Sequence, residues 1–281
     1  MSDPLTPSPG VTNQNEEIEA LKLTTHLAVS AHQDDIEFMA YDGILKCYQN
    51  PNRHFTAVVC TDGSNSPRNG IYADCTDEEM KNIRKREQLA AARIGDCNAQ
   101  IFLNLSSGKI KDTNDRTAIE DLKKIISLST PKVIYTHNPA DKHDTHVATA
   151  ICLIKALREL DYVPEAFYGC EVWRSLDWVC DDEKIGFDVS DNPKLEKEIL
   201  EVFDSQIAGG KRYDSAVIGR RCANATFSES HGVDTATKTI FAVNLLPLLS
   251  NKELSVSEYM QKYIERFAQN VTAKIQQFED I

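Results

Sequence analysis

Two short polar runs in this chain carry side chains that can bind a metal ion. The first, Ala31–Asp35, reads AHQDD and follows the apolar run HLAVS, whereas the second, Asp141–His146, reads DKHDTH and lies far along the chain. Zinc accepts imidazole nitrogen and carboxylate oxygen, and two histidines with one carboxylate leave a position open for water. One carboxylate and one imidazole then remain for proton transfer. The two runs therefore supply the minimum set for a metal-dependent hydrolase.

Both runs follow a stretch that is predicted to be a buried strand. His26–Ser30 precedes the first run and Lys132–Thr136 precedes the second, while Thr61–Gly63 closes a third apolar stretch. In an open parallel sheet, ligands bind outside the carboxyl ends of the strands. We therefore expect these loops to meet at one edge of a sheet, although they are distant in sequence.

Each run contains one residue that can bind the metal and one that can transfer a proton. Consecutive side chains in extended backbone point in opposite directions, so one of Asp34 and Asp35 can bind the metal while the other faces the attacking water as a general base. His143 and His146 are three residues apart and can share one face of a helical turn. One of them can bind the metal, and the other can handle a proton or stabilise an oxyanion.

The elements around these runs alternate in type from about residue 24 to residue 175. The pattern predicts an α/β fold, a Rossmann-like three-layer sandwich with a mostly parallel central sheet and the active site at the carboxyl ends of the strands. Thr76, with Glu79 three residues later, predicts the beginning of a helix that ends at Gly95. Glu37–Tyr48 is predicted as one helix, and the C-terminal part is predicted to be largely helical, without a clear pattern over residues 207–250.

Composition narrows the class of protein. A net charge of −12 and a pI near 5.1 argue against nucleic acid or an anionic membrane as a partner, because both need a basic surface. The sequence shows no apolar stretch of membrane-spanning length and no signal peptide, which favours a cytoplasmic location. The eight cysteines include no pair at CxxC spacing, so we expect reduced core residues and not disulfides.

The sequences AHQDD and HDTH, with YTHNPADKH leading into the second, resemble the motifs of the PIG-L/LmbE-like family of zinc-dependent N-deacetylases (N-acetylglucosaminyl deacetylase-like). That family shows AHPDD and HPDH-type sequences at these places. The resemblance covers roughly residues 24–175 and includes TDG after the second strand and RKREQLAAARIG on the next helix. It implies a metal bound by His32, Asp35 and His146, Asp34 as general base, His143 as acid or oxyanion-stabilising group, and Arg84 as a substrate contact.

Several positions depart from the family pattern. Gln33 replaces the usual proline, and Thr145 stands where HPDH has its aspartate, so support for a metal-binding histidine must come from Asp141 or Asp144. Ser107 lies where the family often has Asp-Gly, which alters the residues that read the sugar. The alternative for Arg84 is an ion pair with Glu87 or Glu79 on its own helix.

Three features of the C-terminal half carry no family motif. His231 is a candidate for an additional active-site histidine. The segment Gly210–Arg221 is basic within an acidic chain and is either a surface paired with acids or a rim that contacts an anionic or polyhydroxylated substrate. Trp173 and Trp178 can stack on a sugar, although core packing is favoured for Trp173.

Together these observations predict a flexible N-terminal tail over residues 1–22 and a single PIG-L/LmbE-like domain over residues 23–281, with a C-terminal helical portion. The predicted activity is metal-dependent removal of the N-acetyl group from an N-acetylglucosamine-type sugar or sugar conjugate, with Zn2+ as the metal and Fe2+ as its alternative. The alternatives are an amidase that cleaves a larger acyl group from a sugar or thiol–sugar conjugate, and a non-catalytic sugar-binding protein. The expected partner is a small N-acetylated sugar, and the chain could form a homo-oligomer.

Overall fold

The computed structural model describes residues 14–279 and contains one seven-stranded sheet between two layers of helices. The strands are β1 (His26–Ser30), β2 (Phe55–Thr61), β3 (Ala99–Leu105), β4 (Val133–His137), β5 (Ala166–Cys170), β6 (Ile185–Asp188) and β7 (Thr239–Asn244). Their order in the sheet is β3-β2-β1-β4-β5-β7-β6. The first five are parallel, and β7 runs antiparallel to both β5 and β6. The predicted α/β class with a mostly parallel sheet is confirmed.

The helices connect successive strands and cover both faces of the sheet. They are α1 (Gln14–Lys22), α2 (Asp35–Met39), α3 (Tyr41–Cys47), α4 (Asp77–Ile94), α5 (Ser107–Lys111), α6 (Thr117–Ser129), α7 (Asp144–Glu159), α8 (Pro193–Glu201), α9 (Asp204–Ile207), α10 (Tyr213–Phe227), α11 (Pro247–Ser250) and α12 (Val256–Glu279). Within residues 14–279, no helix is both long enough and apolar enough to cross a membrane.

The central strands are buried on both faces. Every residue of β1 and of β2 is buried, because helices cover each side of a parallel sheet. Leu27 and Val29 belong to one apolar core, whereas Ala28 belongs to the other, as the alternation of side chains along a strand requires. The sheet therefore holds the ends of β1 and β4 in fixed positions.

Helix α4 shows the local signals that the sequence predicts. The Thr76 hydroxyl accepts a hydrogen bond from the backbone N–H of Glu79, and the Glu79 carboxylate accepts one from the backbone N–H of Thr76. This capping box satisfies two backbone donors that a helix N-terminus otherwise leaves unpaired. The helix ends at Ile94 with Gly95 as its C-cap, so both boundaries are confirmed.

Two predictions from the N-terminal region need correction. The segment predicted as one helix over Glu37–Tyr48 is divided into α2 and α3 at Ala40. Residues 14–22 of the expected flexible tail form α1, where the buried side chain of Leu21 joins the apolar core beneath β3 and α6. The polar composition of that segment hid this single anchoring residue. The rest of the predicted tail, residues 1–13, lies outside the described residues.

The sheet reverses its direction of winding beside β1. Strand β1 lies between β2 and β4, so the chain continues towards one edge of the sheet through β2 and β3 and towards the other through β4 and β5. Loops that leave β1 and β4 therefore separate to opposite faces and open a crevice between them. Such a switch point at the carboxyl ends of the strands is the usual ligand site of an open α/β sheet.

Candidate active site

A cavity of about 600 Å³ opens at this switch point. The two sequence runs meet in it, as predicted from their positions after β1 and β4. We call the deeper group of residues the floor: His32, Asp34, Asp35, His143 and His146. We call the more exposed group the mouth: Lys111, Lys142, Trp173, Lys211 and Arg220. All floor residues except His146, and all mouth residues except Lys142, line the cavity. His146 is buried against His32 and Asp35, and Lys142 lies over the ring of Trp173.

Three side chains of the floor place one potential ligand atom each around a common point. His32 Nδ1 lies 3.2 Å from Asp35 Oδ2 and 3.2 Å from His146 Nε2, and that Nε2 lies 3.3 Å from Asp35 Oδ2. Ligands held tetrahedrally at about 2.0–2.1 Å from zinc are separated by roughly 3.3–3.4 Å. The spacing of the three atoms therefore fits a tetrahedral zinc ion.

The charges around His146 also favour a cation at this point. Burial lowers the pKa of His146, but the carboxylates of Asp35 and Asp141 outweigh burial and raise it to about 9. Burial likewise acts to raise the pKa of Asp35, whereas the imidazoles of His146 and His137 hold it well below its usual range. Carboxylates that stabilise a proton on His146 this strongly can equally stabilise a metal cation that replaces the proton.

Asp141 supports this arrangement from behind. Its Oδ2 lies 3.5 Å from His146 Nδ1 and accepts a hydrogen bond from the backbone N–H of Trp173 at 3.1 Å. Its Oδ1 accepts a hydrogen bond from the backbone N–H of His143 at 2.9 Å. A carboxylate behind a metal-binding imidazole fixes the orientation of the ring. Of the two aspartates considered for this role in the sequence, Asp141 is placed to fill it.

His137 is a second imidazole close to the floor, but its bonding differs. Its Nε2 lies 3.5 Å from Asp35 Oδ2 and accepts a hydrogen bond from the backbone N–H of Ala31 at 2.8 Å. The lone pair of that nitrogen is thereby engaged. Burial and the neighbouring His146 hold the pKa of His137 well below its usual value, so the ring is neutral. These contacts suit a structural role, as the sequence reasoning favoured.

Asp34 adopts a left-handed backbone conformation, with φ of 78°, immediately before α2. Its carboxylate contacts Arg84 Nη2 at 2.9 Å. The backbone N–H of Asp34 donates to Gln88 Oε1 at 3.1 Å. Burial raises the pKa of Asp34 to about 7 against the opposing effect of Arg84, which is the range that suits a general base.

Both terminal nitrogens of the Arg84 guanidinium contact protein partners. Besides Asp34, its guanidinium donates to the carbonyl oxygen of Gln33 at 2.6 Å and to Glu87 Oε2 at 3.3 Å. The side chain is 2 % exposed. The ion pair with Glu87 that the helical spacing suggested is present, whereas Glu79 is occupied in the capping box. Arg84 lines the cavity, but its polar atoms mainly support the loop that carries Asp34.

His143 faces the same space from the beginning of α7. Its ring lies 4.9 Å from that of His32 and 4.7 Å from that of His146, measured between ring centroids. Partial burial and the two neighbouring imidazoles lower its pKa below the usual value for histidine. A neutral imidazole next to the proposed ligands can donate one hydrogen bond and accept another.

The C-terminal half contributes more than the sequence indicated. Trp173, for which core packing was favoured, lines the cavity instead, and so do Lys211 and Arg220 from the basic segment. Glu171, directly after β5, lines the cavity and was missed, whereas Tyr213, at the beginning of α10, belongs to the basic segment already named. The position of Glu171 directly after a strand was the one signal that could have identified it. Ser107 also lines the cavity, whereas His231 is exposed and does not.

The family model of GlcNAc-PI de-N-acetylase, PIG-L, matches residues 27–157 of this chain. The matched segment includes every floor residue and Arg84, together with nearly all of β1, all of β2 to β4 and most of α7. The resemblance stated from the two motifs is therefore confirmed. No curated protein sequence matches the chain significantly.

Solved structures share the fold of this chain over more residues than the family model matches. The N,N'-diacetylchitobiose deacetylase of Pyrococcus horikoshii has 15% identity and a TM-score of 0.63, over 86% of this chain and 96% of that chain. The 4-carboxy-2-hydroxymuconate hydratase of Pseudomonas putida has 18% identity and a TM-score of 0.60, over 80% and 97%. A deacetylase of the teicoplanin pathway has 15% identity and a TM-score of 0.55, over 79% and 98%. These similarities show a shared fold.

Proposed function

We propose that this protein is a metal-dependent hydrolase that removes the N-acetyl group from an N-acetylglucosamine-type sugar or sugar conjugate. The observation that carries the proposal is the triangle of His32 Nδ1, Asp35 Oδ2 and His146 Nε2, with sides of 3.2–3.3 Å, next to the carboxylate of Asp34. The PIG-L match and the two deacetylases among the similar structures support the reaction class. Because the same fold also serves a hydratase, the fold alone does not assign the reaction, and the floor residues do so in this proposal.

His32, Asp35 and His146 would hold the metal ion, and their nitrogen and oxygen donors suit Zn2+, with Fe2+ as the alternative. A divalent ion held there would polarise the acyl carbonyl and acidify the attacking water. Asp141, behind His146, keeps that imidazole oriented. In this proposal Asp34 and His143 do not bind the metal, so both are available for proton transfer.

Asp34 would act as the general base. As water attacks the amide carbon, its carboxylate accepts one proton while the new C–O bond forms. Arg84, which donates to Asp34 at 2.9 Å and to the carbonyl oxygen of Gln33, holds this carboxylate in position. A carboxylate that is buried and still ionisable near neutral pH is suited to this step.

His143 would stabilise the oxygen on which negative charge develops, by donating a hydrogen bond to it. The C–N bond then breaks, and the leaving nitrogen takes up a proton to become the free amine of the sugar. That proton comes from the protonated Asp34 or from His143. Acetate and the amino sugar are the two products, so one water is consumed for each amine released.

The test is the release of acetate and primary amine from a panel of N-acetylglucosamine derivatives by the zinc-loaded protein. Asp34→Asn, which keeps the size of the side chain, serves as the matched variant. We expect equal amounts of acetate and amine from the parent, and a rate reduced by about 10²–10⁴-fold in Asp34→Asn, the usual contribution of a general base. Equal rates in both proteins would refute the assigned base.

One observation favours a second candidate, an amidase for a larger acyl group. The cavity of about 600 Å³ exceeds what an acetyl group needs, and part of its lining is apolar, with Phe38, Tyr213, Val217 and Ile240. The comparison of N-acetyl, N-butanoyl and N-hexanoyl glucosamine decides between them. A deacetylase requires the highest kcat/KM with the acetyl compound, whereas a rise in kcat/KM with chain length would establish the larger acyl group.

A further inference from the structure

The mouth of the cavity concentrates positive charge in an acidic protein. Lys111 and Lys211 line the cavity, and Lys142 stands over the ring of Trp173. Within the described residues, none of these three lysines has a carboxylate at ion-pair distance, although their neighbours Lys109 and Arg212 pair with Asp115 and Asp214. With a net charge of −12, the protein has more carboxylates than basic groups, so carboxylate partners for lysines exist elsewhere on its surface. The lysines at the mouth are therefore available to a ligand.

Trp173 gathers two of these lysines at one place. The Nζ atom of Lys142 lies 5.3 Å from the centroid of the indole ring, and that of Lys211 lies 5.5 Å from it. Tyr213 contacts the same ring edge-on at 5.9 Å between centroids. An aromatic face attracts a cation, but two ammonium groups on one ring repel each other. An anion bound beside the ring would offset the positive charge of either ammonium group.

The position of Trp173 is linked to the floor. Its backbone N–H donates to Asp141 Oδ2, the same oxygen that lies behind His146, and its ring lies 6.3 Å from that of His143. The indole is therefore held beside the residues proposed to act on the acyl group. The ring also lines the cavity that contains the floor, so a ligand bound there can contact it.

We infer that Trp173, Lys142 and Lys211 form a subsite for a phosphate or carboxylate group carried by the acylated sugar. The identity of the sugar rests on the proposed function, whereas the preference for an anion rests on the lysines and the indole. Arg220 lines the same region, but it donates to the carbonyl oxygen of Val172 and is partly engaged. The subsite would select among N-acylated sugars by charge and would leave the floor chemistry unchanged.

The test measures binding in a background that does not turn over. Zinc-loaded Asp34→Asn protein is titrated calorimetrically with N-acetylglucosamine 1-phosphate and with the neutral methyl N-acetylglucosaminide. Lys142→Gln/Lys211→Gln is compared with Lys155→Gln/Lys274→Gln, a control that removes two exposed lysines away from the cavity. We expect the double mouth variant to bind the phosphorylated sugar about 10-fold more weakly, through loss of charge-assisted contacts. The neutral sugar and the control variant should show no change.

Salt and a second anion sharpen the result. The 10-fold difference should shrink in 0.5 M NaCl, because exposed charges are screened. N-acetylmuramic acid, which carries a carboxylate, identifies the preferred anion by its affinity relative to the phosphorylated sugar. A phosphorylated sugar that fails to bind, or binds equally well after both lysines are replaced, would overturn the subsite, since the latter would place the phosphate at the floor.

Turnover separates this inference from the proposed function. The chain with Asp34 intact is assayed for acetate release from the same sugars, with and without the two lysine substitutions. Binding that depends on the lysines, without acetate release from any sugar, would retain the subsite and refute the deacetylase. Acetate release with the same kcat/KM for charged and neutral sugars, before and after the substitutions, would retain the deacetylase and refute the subsite.

Discussion

The floor and the mouth of the cavity differ in how their polar groups are satisfied. At the floor, Asp34, Asp35 and His146 are buried and each contacts other charged or hydrogen-bonding side chains. At the mouth, Lys142 and Lys211 are exposed and share a ring without a carboxylate partner among the described residues. Buried, interlocked groups are costly to disturb and can hold reacting atoms in place, whereas exposed cations remain free to meet a ligand. The difference suggests that the floor carries out the chemistry, whereas the mouth selects the substrate.

The largest effect should follow from removing a floor ligand. His146→Ala should weaken zinc binding by more than the roughly 10–100-fold that losing an outer-shell partner costs, and acetate release should disappear. Metal content after dialysis, together with a competitive zinc titration, measures the change. His231→Ala is the matched control, because His231 is exposed and does not line the cavity. Unchanged zinc affinity in His146→Ala would remove this residue from the ligand set.

The next prediction concerns the support of the floor. Arg84→Met leaves the carboxylates of Asp34 and Glu87 buried without their cation, so the free energy of unfolding should fall by about 3–5 kcal/mol. Arg68→Met is the control: Arg68 pairs with the exposed carboxylate of Asp77, and such a pair contributes about 0–1 kcal/mol. Denaturant unfolding of both variants at pH 7 measures the difference. Equal losses would mean that Arg84 does not hold the floor together.

These contrasts also show what the sequence could and could not reveal. The floor was predictable because its residues stand in two short runs, each following an apolar strand. The boundaries of α4 were predictable from the capping box at Thr76 and from Gly95. The left-handed conformation of Asp34 was not visible, since it is imposed by contacts with Arg84 and Gln88, which lie more than one element away.

The mouth was harder to predict because it forms only through tertiary packing. Trp173 follows β5, whereas Lys211 lies between α9 and α10 and Tyr213 begins α10, in a region where the sequence pattern was mixed. A tryptophan near an apolar run is equally suited to a core or to a cavity wall until its neighbours are known. No local spacing relates residue 173 to residue 211, so only the fold could join them.

A smaller effect is expected from the layer beneath the floor. Burial raises the pKa of Glu37 to about 8, while its carboxylate accepts a hydrogen bond from Gln88 Nε2 at 2.7 Å. The folded state thus keeps a proton that the unfolded state, with a pKa near 4.5, has lost, so stability falls as the pH rises between those values, by up to about 1.4 kcal/mol per unit. Above pH 8 the loss is complete.

Urea unfolding at pH 6 and pH 8 measures this effect. Between pH 6 and pH 8, the free energy of unfolding of the parent should fall by about 2 kcal/mol more than that of Glu37→Gln, which keeps a polar group without a titratable proton. Glu253→Gln, at an exposed carboxylate, should behave as the parent does. If Glu37→Gln shows the same pH dependence as the parent, another group causes the loss of stability, and Glu37 is not protonated beneath the floor.

The central claim is that three floor residues hold one metal ion and that Asp34 uses it to hydrolyse an N-acyl sugar. The most direct test is a zinc titration of metal-free parent and Asp34→Asn protein, followed at each step by acetate release from an N-acetylglucosamine derivative that the parent hydrolyses. The account predicts that both proteins bind one equivalent of zinc with similar affinity, and that only the parent gains activity, which levels off at that equivalent. Full activity in the metal-free parent, or equal activity in Asp34→Asn, would contradict it.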